Sequence, residues 1–222
     1  MNQTAVVFGA TGMVGKELVY ELLEGSEFVK VVAVVRNTLP LANGKLEQLK
    51  INDYSELSQY KEKLNAHVYF CCIGTTIKKA GSQEAFRKVD YDIPVQIAQL
   101  AKELSIPSLV IISSIGASAT TSNFYLRTKG EMEQAVKDIY KGNLKIVRPS
   151  LLIGNRNEFR FGEKAATILM KAMGIFMFGP LRKYKGIYAW DVARAMIKSA
   201  HLPKDTVILE SDKLADLGKK KK

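Results

Sequence analysis

The feature that most constrains this chain is seven residues long. Gly9-Ala10-Thr11-Gly12-Met13-Val14-Gly15 follows an apolar run at 4–8 and opens an amphipathic stretch at 13–24. Glycines spaced in this way at a strand-to-helix turn allow a tight bend, let a pyrophosphate approach the backbone, and let the helix pack closely on the strand. The start of the helix then offers unpaired N–H groups and the positive end of a dipole to an anion. The spacing is G-x-x-G-x-x-G and differs from the commoner G-x-G-x-x-G, so the strand-turn-helix setting carries the reading. A glycine turn with no ligand is the plainer alternative. We expect a nicotinamide dinucleotide on these seven residues.

The rest of the chain repeats the pattern. Apolar runs of strand length fall at 29–35, 46–51, 66–73, 108–112 and 144–147, and helical spacing fills 55–63, 83–104 with a break before Pro94, and 125–140. Strands alternating with helices predict an α/β, doubly wound parallel sheet, a Rossmann fold of strand order 3-2-1-4-5-6 with helices on both faces. Past Pro149 the order loosens: helices are expected over 162–174 and 191–201, around a Gly-, Met- and Phe-rich stretch at 174–186. The organisation read from this is a cofactor-binding core over 1–150, a small C-terminal substrate region over 151–218 packed on it, and a lysine tail over 219–222.

Composition excludes several classes. With 222 residues, 47% hydrophobic and 25% charged, the chain is neither disordered nor collagen-like nor a disulfide scaffold. Its oddity is 33 Lys+Arg against 22 Asp+Glu, a net +11, four of them in Lys219 to Lys222. The remaining basic residues are scattered, as at Lys78-Lys79, Arg87-Lys88, Arg156, Arg160, Arg182-Lys183 and Lys185, with no zinc-finger or RNA-recognition pattern. Nucleic-acid binding stays as the contrasting class, but no nucleic acid partner is expected.

His67 and His201 lack metal-ligand spacing, so no metal is expected. Cys71 and Cys72 are adjacent in a strand run and point to opposite faces, which argues against a disulfide and for a reducing, cytoplasmic compartment. The N-terminus has no basic n-region, so no signal peptide is expected. The longest apolar stretch, 165–178, is broken by Lys171, and no membrane span is expected. Met170, Met173, Phe176, Met177 and Phe178 within it read as core packing, with a pocket wall as the second reading.

Cofactor choice is read at the end of the second strand, where a carboxylate would bind a ribose 2′-hydroxyl. Here stands Arg36, with a planar donor fork suited to a 2′-phosphate, so NADP(H) is favoured and NAD(H) is the second choice. Asp53, followed by Tyr54, is placed either to accept from the adenine amino group or to cap a helix.

The chemistry is read from Tyr125 and Lys129, four residues apart on one helix face. A phenol ionises near pH 10, and a neighbouring ammonium favours the phenolate, making it a usable acid/base. Upstream, the fifth strand ends in Ser113-Ser114, where ligands bind in such sheets. Ser114 is the candidate to hold a substrate oxygen, with Ser113 as fallback if the register is off by one.

In that order, the glycine loop, the strand-end serines and Tyr125 with Lys129 resemble the short-chain dehydrogenase/reductase superfamily in its atypical, extended-like branch. More narrowly, Cys71-Cys-Ile-Gly-Thr-Thr76 with Ala80-Gly81, Ser122-Asn-Phe-Tyr-Leu126, Lys129-Gly-Glu131 and Arg148-Pro149 are similar to the oxidoreductase family of the Tat-interactive protein, over about residues 3 to 200. The resemblance implies that Gly74 and Thr75 line the cofactor, that Tyr125 is the acid/base with Lys129 its partner and Ser114 its orienting hydroxyl, and that Pro149 and Ser150 border the nicotinamide. One departure stands out. Many relatives carry Val-Asn in the long central helix where this chain has Val89-Asp90, which departs from the usual four-residue proton relay.

The expected function is NADP(H)-dependent hydride transfer to or from a small carbonyl, alcohol or quinone-like substrate, by a monomer or homodimer. An NADPH-binding redox sensor with little catalysis is the alternative, and a sugar-nucleotide epimerase is the weaker variant.

Overall fold

Apolar runs rich in β-branched residues become parallel strands. In the structure, a computed structural model that describes residues 2–154, 179–203 and 206–220, these are β1 (Gln3–Phe8), β2 (Phe28–Val35), β3 (Leu46–Lys50), β4 (Val68–Cys71), β5 (Ser108–Ile112) and β6 (Asn143–Arg148). A short parallel pair, β7 (Leu152–Ile153) and β8 (Ile187–Tyr188), stands apart, and β9 (Val207–Glu210) returns to the main sheet. The order is 3-2-1-4-5-6-9, parallel throughout. The six-strand doubly wound order expected from the sequence is therefore present, and a seventh strand extends it beside β6. That strand gives a weak sequence signal, because it is four residues long and buries Leu209 alone.

Helices cover both faces. They are α1 (Met13–Glu24), α2 (Lys61–Leu64), α3 (Ile77–Ala80), α4 (Gln83–Arg87), α5 (Ile93–Glu103), α6 (Phe124–Ile139), α7 (Ala189–Ser199) and α8 (Ser211–Gly218). Adjacent strand residues feed opposite cores. Val7, Val31, Ala33, Phe70 and Val110 pack under α1, α7 and α8, while Phe8, Val32, Val34, Tyr69 and Ile111 pack under α5 and α6. Cys71 and Cys72 divide in the same way: Cys71 lies wholly buried in the second core, Cys72 lies beside Met196 of α7, and both are free thiols.

The helix expected over 55–63 is a 3-10 turn, Tyr54–Tyr60, running into α2. The long helix expected over 83–104 is interrupted, as its proline suggests. Pro94 has no N–H for the carbonyl of Asp90, and the chain steps past the gap through a widened π turn, Lys88–Asp92, in which the Ile93 N–H donates to the Lys88 carbonyl. Past 150, α7 matches the helix expected over 191–201, and α8 is an element the sequence reading missed. The helix expected over 162–174, the Met/Phe cluster at 170–178 and the arginines at 156 and 160 lie outside the described residues. Among the described residues no helix is long and apolar enough to cross a membrane.

Candidate active site

The order of the strands reverses between β1 and β4, so the loops leaving these two strands part and open a crevice at their C-terminal ends. The glycine loop fills one side of it. Gly9 has φ +79°, its carbonyl accepts from Gly12 N–H at 3.0 Å, and β4 holds the turn down through Cys72 N–H to the Phe8 carbonyl at 2.8 Å. Gly15 packs α1 onto this loop so closely that a Cβ there would lie 2.1 Å from the Gly9 carbonyl oxygen. Gly12 caps α1 without a side-chain bond, and no acidic residue sits in the first turn. The N–H groups of Met13, Val14 and Gly15 thus face the crevice end without a protein acid competing for them, an arrangement that fits a pyrophosphate. Ala10 is buried beneath, and Thr11 is exposed at the loop tip.

Arg36 is exposed just past β2 and makes no ion pair among the described residues. Asp53 caps the 3-10 turn, its carboxylate accepting from Ser55 N–H at 2.9 Å, and that bond holds its carboxyl below the usual range. The capping reading is thus realised, and Asp53 stays exposed beside it. Tyr54 is half-buried against Phe8, and burial pushes its phenol well above the ordinary value, with the Cys71 thiol adding to the shift and Arg36 opposing it.

The second side of the crevice is α6. Asn123 starts this helix by accepting from Leu126 N–H at 3.0 Å, which puts Tyr125 and Lys129 on its inner face. The approach is close: a Cβ at Gly130 would fall 2.2 Å from the Ser118 carbonyl carbon, so α6 lies directly on the loop that follows β5. The Tyr125 ring rests 5.4 Å from that of the buried Phe86. Lys129 is buried and reaches the loop after β4, where a Cβ on Gly74 would sit 3.7 Å from its Nζ. Its Nζ is 2.7 Å from Oδ1 of Asp90, which is itself wholly buried. Burial works to lower the Lys129 ammonium, but the Asp90 carboxylate first, then Tyr125 and Cys71, outweigh it and hold the group above an ordinary lysine. The other Asp90 oxygen, Oδ2, accepts from Thr75 N–H at 2.8 Å.

The two serines separate cleanly. Ser113 is buried and its hydroxyl donates to Glu133 of α6, whose carboxylate takes two bonds from Arg148 at 2.8 and 2.6 Å, and Arg148 reaches Glu210 at 3.1 Å. Ser114 is partly exposed and has one long contact, 3.4 Å to the Ile115 carbonyl. Of the two hydroxyls, that of Ser113 is taken up by Glu133 and that of Ser114 is the less engaged. Pro149 is buried after β6, and Ser150 beside it is bonded to the Lys185 carbonyl and to Ser211.

The structure thus brings the glycine loop, Gly74, Thr75, Ser114, Tyr125, Lys129 and Pro149 to one end of the sheet, with Arg36, Asp53 and Tyr54 at the ends of β2 and β3. Asp90 and Phe86 are the participants the sequence reading did not assign. They had a signal: residues 86, 90, 94, 97 and 101 share one buried helix face, and a carboxylate on such a face needs a cationic partner. Among the described residues no cluster of His, Cys, Asp and Glu could hold a metal.

Comparison with known proteins agrees with this picture. Residues 5–208 match the NAD dependent epimerase/dehydratase family. The chain is 36% identical over 201 residues to the protein named FMP52, mitochondrial, of Candida albicans, covering 87% of this chain and 86% of that one. It is 34% identical over 165 residues to the protein HTATIP2 of Rattus norvegicus, covering 73% and 68%. The structure of MoeE5 in complex with UDP-glucose and NAD superposes with a TM-score of 0.70 over 93% of this chain and 75% of that one, at 17% identity, a likeness of fold. The relatives also correct one expectation. The cytoplasmic compartment read from unpaired cysteines is overturned by the mitochondrial name of the FMP52 relatives, because free thiols mark a reducing environment and not an address.

Proposed function

The chain belongs to the NAD dependent epimerase/dehydratase family, and on that premise we propose that it is an NADP(H)-dependent oxidoreductase acting on a small carbonyl or alcohol, with Tyr125 as acid/base. What supports the reading is that Tyr125 and Lys129 lie on the inner face of α6 while the Ser114 hydroxyl and the start of α1, which has no side-chain cap, lie at the same C-terminal end of the sheet. When bound, the nicotinamide supplies or accepts the hydride, two electrons and one hydrogen, at the substrate carbon. The Met13, Val14 and Gly15 N–H groups would hold the pyrophosphate, and Lys129, with ammonium hydrogens beyond the one facing Asp90, would bond the ribose. Ser114 donates to the substrate oxygen and orients it. Tyr125 gives its phenolic proton to that oxygen as the C=O π pair becomes an O–H bond, and takes a proton in the reverse direction.

Arg36 supports the phosphorylated cofactor, since the end of β2 presents a guanidinium and no carboxylate. The test is Tyr125→Phe assayed with NADPH against a panel of small carbonyls and quinones. Loss of the proton donor should lower kcat about 100-fold or more with cofactor binding retained. Activity that survives the change would remove Tyr125 from the chemistry.

Nucleotide-sugar epimerisation or dehydration is the second reading, favoured by the family's name and by the UDP-glucose of MoeE5. Conversion of UDP-glucose without net cofactor consumption would select it. The FMP52 relatives suggest mitochondria as the compartment, which cell fractionation tests directly.

A further inference from the structure

One buried titratable group, Asp90, touches the proposed machinery but is given no role in the steps above. Asp90 is fully buried on the π turn, pairs through Oδ1 with the Lys129 ammonium at 2.7 Å, accepts on Oδ2 from Thr75 N–H at 2.8 Å, and lies directly beneath Gly74, where a Cβ would stand 3.4 Å from Oδ1. The titratable groups facing Lys129 are Asp90, the Cys71 thiol from β4 and Tyr125 from its own helix. Burial pushes the Cys71 thiol up to about 12, so it brings no charge at neutral pH. The carboxylate is the counter-charge. π turns inside helices recur at functional sites, and this one places that carboxylate on the ammonium.

We propose that Asp90 is a positioning residue that shares the charge of Lys129, leaving Tyr125 to serve as a proton donor and fitting the site to carbonyl reduction. The inference rests on the acid/base role of Tyr125 proposed above. An asparagine at this place would orient the same lysine without cancelling its charge, and an uncompensated ammonium favours the phenolate, the form that alcohol oxidation needs. With the carboxylate in place the pair is near neutral and its field at the phenol is small. The equilibrium between alcohol and carbonyl belongs to the reactants and does not change. What moves is the pH range over which each direction runs. In reduction the phenol O–H bond breaks, its proton joins the substrate oxygen while hydride from the reduced nicotinamide joins the carbon, and the phenolate recovers a proton from solvent.

The test is Asp90→Asn, made alone and with Tyr125→Phe, next to the wild-type chain and Tyr125→Phe. Ultraviolet difference titration of each pair isolates the ionisation of the one phenol, with no turnover required. In the Asp90→Asn pair that ionisation should appear about one pH unit or more lower than in the wild-type pair. The alkaline limb of the reduction profile and the acid limb of the oxidation profile should both move down by the same amount. A residue that merely supports the fold would lower the melting midpoint and leave the limbs in place. Should Asp90→Asn fold poorly, Asp90→Ser with saturating NADP+ bound gives the same comparison, since a ligand of the folded state stabilises it. The same phenol titration in both pairs overturns the proposal. If Tyr125→Phe stays active the acid/base reading falls, yet the difference titration still reports on Asp90. If Tyr125→Phe is inactive and the titration does not move, the Asp90 proposal alone falls.

Discussion

Arg36 ends β2 as an exposed guanidinium with no carboxylate on it among the described residues, so its donors are open to a ligand. A charge-assisted bond to a 2′-phosphate contributes roughly 1.5–3 kcal/mol, so Arg36→Ala should weaken NADPH about tenfold to a hundredfold and leave NADH nearly unchanged. Fluorescence titration with both cofactors measures this, and an equal loss for each would remove the reason for preferring the phosphorylated one. The adjacent cysteines give a second expectation. Burial pushes both thiols up, Cys71 to about 12, and the thiolate is the reactive form. Iodoacetamide at pH 8 should therefore leave both unmodified in the native protein and label both in urea, as mass spectrometry would show. Labelling of Cys71 at native speed would mean that the face under α5 and α6 opens. At this scale the sequence was legible where a side chain acts within its own segment. Tyr125 and Lys129 share a helix face by spacing alone, whereas the pairing of Asp90 with Lys129 joins residues 39 apart along the chain and needed coordinates.

Between elements, the network of buried Ser113 and Glu133 with partly exposed Arg148 and Glu210 ties α6 to β5, β6 and β9. Glu133→Ala strands the buried Ser113 hydroxyl and leaves Arg148 with Glu210 alone, so it should destabilise the fold by about 1–3 kcal/mol. Urea unfolding measures it, and a loss below about 1 kcal/mol would show that water replaces the carboxylate at the Arg148 fork. Gly130 raises a different demand. Gly130→Ala must push α6 off the loop after β5, and overpacking of this kind costs about 1–3 kcal/mol. Because Tyr125 and Lys129 ride on the same helix, kcat should fall further than stability does. The strands and α1 were readable because parallel strands buried on both faces are continuous apolar runs. The π turn was half readable, as a break before Pro94. β9 and α8 were not, because a four-residue edge strand with one buried side chain and an eight-residue helix hardly differ in pattern from a polar connection.

Across the whole molecule, the segment past 203 completes the sheet in which β1 is an inner strand. β9 pairs with β6, α8 packs on α7, and Leu214 of α8 is fully buried in the core under α1. A chain cut after residue 203 should lose cooperative thermal unfolding, and a melting midpoint within a few degrees of the intact chain would show that β9 is dispensable. The net charge of +11 is an excess that ion pairs leave untouched: Arg87 with Glu131, Arg148 with Glu133 and Glu210, Arg182 with Asp216, and Arg194 with Glu21 and Asp191 fix where charge is neutralised locally, while the surplus stays on other basic side chains. The order 3-2-1-4-5-6-9 has one more consequence, for a chain made from its N-terminus on a ribosome. β1 emerges before the strands that flank it, and the turn after it is held down by Cys72, so the cofactor loop cannot set until β4 has been synthesised. The edge of β6 in turn stays open until β9 has been synthesised. During that interval the nascent sheet offers a bare strand edge to any neighbour, and mispairing should begin there.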